Sequence, residues 1–161
     1  MPVFLARTHG HFPAQDSDPE VYDGGTFPFE RVQMDVKYVP RVNLYGENLY
    51  QYTLADEYSR WCYREIHNEL SAYISGLFLR RAVKAAPFKI KEAQTDNGHE
   101  FTNALFGQKR DEPTRFELAL AELGIEYRRT RVGTLKHNDR VERQQHELDM
   151  QRFYKRQFTS L

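Results

Sequence analysis

Three strand-like segments in succession, followed by helical and strand patterns in alternation, constrain this chain more than any other feature. The runs 31–39, 48–55 and 61–67 are rich in β-branched and aromatic residues. Pro40 to Glu47 holds the Pro, Asn and Gly of a hairpin loop, and Asp56-Glu57-Tyr58-Ser59-Arg60 has turn-like spacing, so the three runs read as an antiparallel meander. Beyond them, Ile74, Leu77, Phe78 and Val83 recur near helical spacing over 71–86, and Pro87 stops the helix. A short strand follows over 88–95. Phe116, Leu118, Ala119, Leu120 and Leu123 then predict a second helix closed by Gly124, before a strand over 125–130 and a long, sparsely apolar helix from about 138 to 154. The order β-β-β-α-β-α-β-α predicts an α/β fold: a mixed five-stranded sheet flanked by helices, its later strands entering through helical crossovers.

Within that frame three carboxylates occupy three different local settings. Asp35 interrupts Val32, Met34 and Val36 in the first strand, where a buried acid is costly unless paired or bound to metal. The alternative is a solvent-facing position on an edge strand. Asp96 opens Asp96-Asn97-Gly98, which is also a good β-turn. Glu142 lies near the start of the last helix, where it equally suits the third position of a capping box led by Asp139. Two Asp and a Glu, all oxygen donors, suit hard divalent cations such as Mg²⁺ or Mn²⁺. In the predicted sheet, Asp35 on a central strand, Asp96 past the end of a neighbour and Glu142 on a nearby helix can converge at one edge. Two ions held there can activate an attacking oxygen and stabilise the leaving oxygen of a phosphodiester, the chemistry of a nuclease or strand-transfer site.

The remaining acids and histidines read differently. Asp56 is suited to bracing the turn between strands, and Glu100 can act behind Asp96. The six histidines include no closely spaced helical pair for zinc. Neither a Walker phosphate loop nor a dinucleotide fingerprint is present.

Length and composition place these motifs on one domain with a substantial core. The net charge of zero hides an asymmetry: nine Lys/Arg against four Asp/Glu from Arg128 to Arg156, and five acids with one Arg in the first thirty residues. A positive face on a neutral molecule, or a solvated charged helix, both accommodate this. Cys62 is the only cysteine, which excludes an intrachain disulfide and Cys-rich zinc sites, and it reads as a small buried hydrophobe. No apolar run is long enough to span a membrane and no signal-peptide pattern opens the chain, so a soluble intracellular protein is expected.

Taken together, Val32-Gln33-Met34-Asp35-Val36-Lys37, Leu54-Ala55-Asp56-Glu57-Tyr58-Ser59-Arg60, Gln94-Thr95-Asp96-Asn97-Gly98-His99-Glu100-Phe101, Leu123-Gly124-Ile125-Glu126-Tyr127 and His137-Asn138-Asp139-Arg140-Val141-Glu142-Arg143 resemble the catalytic core of the retroviral integrase superfamily. The likeness is to the DDE transposases of bacterial insertion sequences within it. The chain departs from the family pattern at Asp139, where Gly is usual, over 131–135, and by an insertion around 103–114.

The resemblance implies an RNase H-like fold over about 31–156, preceded by a linker or lead-in at 1–30 and followed by a truncated continuation at 157–161. It implies Asp35, Asp96 and Glu142 as catalytic and metal-binding residues, with two Mg²⁺ or Mn²⁺ ions once DNA is bound, and DNA cleavage followed by strand transfer. Transposon-end and target DNA become the expected partners, in a homo-oligomeric active complex, with a bacterial cytoplasmic location and association with the nucleoid when active. Arg128, Arg129, Arg131, Lys136, Asn138, Arg140 and Arg143 are the candidate DNA contacts. A simple RNase H-like nuclease, and an inactive transposase-derived DNA-binding or assembly module, are the alternatives.

Overall fold

The computed structural model describes residues 25–39, 48–103 and 112–130. Five strands and two helices follow in the order β1 (Arg31–Tyr38), β2 (Tyr50–Asp56), β3 (Cys62–His67), α1 (Ala72–Ala85), β4 (Glu92–Thr95), α2 (Arg115–Leu123) and β5 (Glu126–Arg129). The sheet order is β3-β2-β1-β4-β5, with the first three strands antiparallel and β4 and β5 added parallel to β1. This is the mixed, helix-flanked sheet the sequence predicts. The last predicted helix lies outside the described residues.

Alternation along the strands makes two unlike faces. On one, Val32 and Met34 of β1, Tyr52 and Leu54 of β2 and Ala93 of β4 join Phe78, Leu79 and Ala82 of α1 and Phe116, Ala119 and Leu120 of α2 in the apolar core. Each large, fully buried side chain there contributes about 1.5–3 kcal/mol. The other face presents Gln33, Asp35 and Lys37 of β1 beside Gln51 and Thr53 of β2. Gln33, Gln51, Thr53 and Gln94 are all buried, so this second face is polar without being open to solvent.

The helices begin and end as their residues dictate. Ser71 caps α1 by accepting the Ile74 N–H, and Thr114 with Glu117 forms a reciprocal capping box at α2. Gly124 closes α2 in the left-handed region at φ 64°, the role its sequence position predicts. Where α1 and α2 cross, Gly76 leaves no space: a Cβ there would stand 2.9 Å from the Arg115 carbonyl oxygen.

Asp56 braces the turn after β2 and more besides. One carboxylate oxygen accepts the Ser59 N–H and hydroxyl, and the other accepts the Phe29 N–H at 2.9 Å. That contact holds Phe29 at φ 61° just before β1 begins. The bend explains why β4 is shorter than its sequence suggests, since the partner strand turns away upstream of Arg31. Only single contacts, such as Lys91 N–H to the Phe29 carbonyl, persist there.

Candidate active site

The parallel pairing of β1 with β4 is what builds the site. Arg31 lies level with Glu92, Val32 with Ala93 and Gln33 with Gln94. Two residues further along each strand come Asp35 and Asp96, on the same face as Gln33 and Gln94. Neighbouring strands lie about 4.8 Å apart, so this register directs the chain positions of both acids to the same end of the β1–β4 pair. Asp35 is half-buried and Asp96 exposed. A central strand thus carries Asp35, not the edge strand that would have made it a simple solvent-facing acid.

Asp96 is held by its own turn. Its Oδ1 accepts the Gly98 N–H at 2.9 Å, while the Thr95 hydroxyl donates to its carbonyl at 2.7 Å. Behind Thr95, the Tyr127 hydroxyl lies 3.0 Å from the Thr95 oxygen, and burial pushes that phenol well above its ordinary value, keeping it protonated. The Asn97 amide donates to the Thr130 carbonyl at 2.9 Å, and the Thr130 N–H donates to the Thr95 carbonyl at 2.9 Å. The turn that presents Asp96 and the end of β5 are therefore one hydrogen-bonded unit.

Glu100 sits beneath this turn. It is buried, and its carboxylate occupies the space over Gly98, where a Cβ would come within 2.5 Å of Oε2. Burial pushes the carboxyl upward, the Asp96 charge adds to the rise, and His99 at 3.5 Å opposes it. A side chain at 98 would have to displace the Glu100 carboxylate from that place.

On β1 and its neighbours, Asp35 is opposite Thr53, which is in turn opposite Arg64 of β3. Lys37 shares that face, and its ammonium lies below its ordinary value through burial and the nearby Arg64, with Asp35 pulling the other way. Lys37 was within reach of strand alternation alone. Arg64 was not, since only the pairings of β1 with β2 and of β2 with β3 put it on this face.

The basic residues divide between faces. Arg128 is level with Gln94 on the acid-bearing face, and its Nη1 lies 3.4 Å from Glu92 Oε1, which Arg31 also engages. Arg129, one residue on, is level with Thr95 and belongs to the opposite face. Glu142, Arg131, Lys136, Asn138, Arg140 and Arg143 lie outside the described residues. Among the described residues no group of three or more His, Cys, Asp or Glu comes together as a metal site. Asp35 and Asp96 nevertheless fit a hard divalent cation by donor chemistry, both offering oxygen only.

A helix-flanked mixed sheet of order β3-β2-β1-β4-β5 is the architecture of an RNase H-like domain. The chain belongs to the integrase core domain family, whose model matches residues 25–134. That family carries out polynucleotidyl transfer, catalysing DNA cleavage and strand transfer with divalent metals.

Two solved structures share the fold. A chain of the simian T-cell lymphotropic virus intasome, in complex with PP2A regulatory subunit B56 gamma, is 14% identical with a TM-score of 0.64. That match covers 82% of this chain and 42% of the other. The catalytic core domain of BIV integrase is 17% identical with a TM-score of 0.53, the match covering 74% of this chain and 65% of that one. The chain thus spans less than two thirds of either solved chain. No curated protein sequence matches it significantly.

Proposed function

We propose that this chain is the catalytic core of a DNA transposase of the bacterial insertion-sequence type, cleaving DNA and transferring its strands with divalent metal. The observation that carries the reading is the parallel β1–β4 pairing, whose last partners Gln33 and Gln94 each precede an acid, Asp35 and Asp96, by two residues, in a chain of the integrase core family. Glu142 is the third acid of the proposed set. Asp35, Asp96 and Glu142 would hold two Mg²⁺ or Mn²⁺ ions, which when bound would supply activation of an attacking oxygen and stabilisation of the departing 3′-oxygen.

Around that chemistry the chain's own groups orient and hold. The Asp96 turn fixes one carboxylate through the Gly98 N–H, and the exposed carboxylate keeps further lone pairs with which to ligate. The Asn97–Thr130 contact ties the turn to the strand from which the segment bearing Glu142 departs. Transposon-end and target DNA are the proposed substrates, and the active complex is proposed to contain more than one copy, working in the bacterial cytoplasm.

The test uses duplex DNA carrying transposon ends, intact or pre-cleaved, with Mg²⁺ or Mn²⁺. Nicking of intact ends and joining of pre-cleaved ends to a target are expected, both lost in Asp35→Asn. Nicking without joining would leave a hydrolytic nuclease. Activity retained in a folded Asp35→Asn variant would remove the acids from the mechanism.

A further inference from the structure

The parallel ladder of β4 and β5 runs out at the residue proposed to hold metal. The two strands pair from Glu92 with Glu126 to Thr95 with Arg129. One step further the Thr130 N–H still donates to the Thr95 carbonyl at 2.9 Å, which is half of the next rung. In a continuing parallel ladder the other half would join the Thr130 carbonyl to the backbone N–H of residue 97, across Asp96. The side-chain amide of Asn97 makes that bond instead, donating at 2.9 Å. Side chain stands in for backbone, so the carbonyl stays satisfied while the main chain turns at Asp96.

The other bonds on Asp96 are of a different kind. The Thr95 hydroxyl donates to its carbonyl, and its Oδ1 accepts the Gly98 N–H. Both lie within the turn and would travel with it. The Tyr127 hydroxyl steadies Thr95, one residue upstream. Downstream of Asp96, the half-buried Asn97 reaches a residue 33 positions away in the chain, and so refers the turn to the sheet. Aspartate has the shape for this place but no N–H to donate.

We infer that Asn97 is a positioning residue for Asp96, its amide setting where the carboxylate stands against the end of β5. The inference rests on the proposed function and deepens it by naming the group that fixes one of the proposed metal ligands. Working constellations need their groups held to within about 0.5 Å, which a turn free to swing does not provide. A direct role in holding metal predicts the opposite response to one substitution: Asn97→Asp would then bind a hard cation more tightly, since a carboxylate is the better oxygen donor.

The test compares the full chain with Asn97→Ala and Asn97→Asp in three measurements: Mn²⁺ affinity by calorimetry, kcat and KM for cleavage of transposon-end duplex, and amide exchange without metal. Both variants should bind Mn²⁺ about tenfold more weakly and lose about tenfold to a hundredfold in kcat, the range seen when the outer partners of ligands are removed. Asn97→Ala should leave KM for DNA unchanged, and the Gly98 amide should exchange faster in both variants while the amides of α1 keep their rates. Unchanged kcat and Mn²⁺ affinity in a folded Asn97→Ala overturn the inference. Should that variant unfold, Asn97→Asp decides: a folded protein that binds Mn²⁺ as tightly as the wild type, or more so, overturns it.

An Asp96→Asn arm separates this inference from the reading beneath it. Mn²⁺ binding and cleavage lost in Asp96→Asn but intact in both Asn97 variants sink only the positioning role. Both retained in a folded Asp96→Asn, with Gly98 exchange faster in Asn97→Ala, sink only the assignment of Asp96 to the metal.

Discussion

Asp96 illustrates how one side chain can serve a turn and a reaction together. Its Oδ1 accepts the Gly98 N–H, a bond that an asparagine oxygen accepts equally well. Asp96→Asn should therefore keep the turn and the melting temperature while removing the charge that holds a cation. Mn²⁺ affinity by calorimetry is expected to fall by at least about tenfold to a hundredfold, the loss that even the outer partners of metal ligands can cause. Unchanged Mn²⁺ binding in that variant would detach Asp96 from the metal.

Glu100 makes a second prediction at this scale. Its carboxyl is raised by burial and by Asp96, so the folded state holds the proton more tightly than the unfolded chain. Stability from this group is complete below the ordinary value of 4.5 and is lost as pH rises through the folded value. Glu100→Gln cannot ionise, so without divalent metal it should melt higher than the wild type at neutral pH. The gap should close as the pH falls toward 4. A constant gap at all pH values would mean that packing, not charge, controls the difference.

Among the elements, α1 and α2 pack so closely at Gly76 that backbone faces backbone. Alanine at 76 would gain about 0.8–1.0 kcal/mol of helix propensity over glycine. Its Cβ, however, would meet the Arg115 backbone oxygen at 2.9 Å, an atom that can move only with α2. Overpacking of this kind costs about 1–3 kcal/mol, so the clash outweighs the propensity gain and Gly76→Ala should lower stability in denaturant titration by a net of up to ~2 kcal/mol. A stabilised variant would show that α2 is free to shift. The same elements illustrate what local sequence conveys: Gly124 and the Pro87 stop were readable because capping and helix arrest depend on adjacent residues. The early end of upstream β4 pairing was not, because it depends on Asp56 reaching Phe29, 27 residues away.

For the whole molecule, a net charge of zero coexists with a basic segment that runs from β5 toward Glu142. If that segment faces DNA, charge reversal at Arg140 or Arg143 should weaken binding to all duplexes alike and flatten the salt slope by about one unit. The measurement belongs in a protein that binds DNA well enough to titrate, and a slope unchanged in both variants would make the segment a solvated or oligomer-forming surface. Arg128 is expected to matter less to binding, being engaged by Glu92 within the sheet.

Strand and helix order, the five-stranded mixed sheet and the identity of the candidate acids followed from the sequence alone, because hydrophobic period, caps and turn chemistry are local. The Asp56 brace was legible for the same reason, as an acid placed at the mouth of a turn. Which side chains meet was decided by tertiary structure. The β1–β4 register directs Asp35 and Asp96 to one end of the pair, the pairings of β2 put Thr53 between Asp35 and Arg64 on one face, and Arg128 and Arg129 part to opposite faces although adjacent in the chain. The physical reason is the period of two along a strand, by which a register shift of one residue exchanges one face for the other.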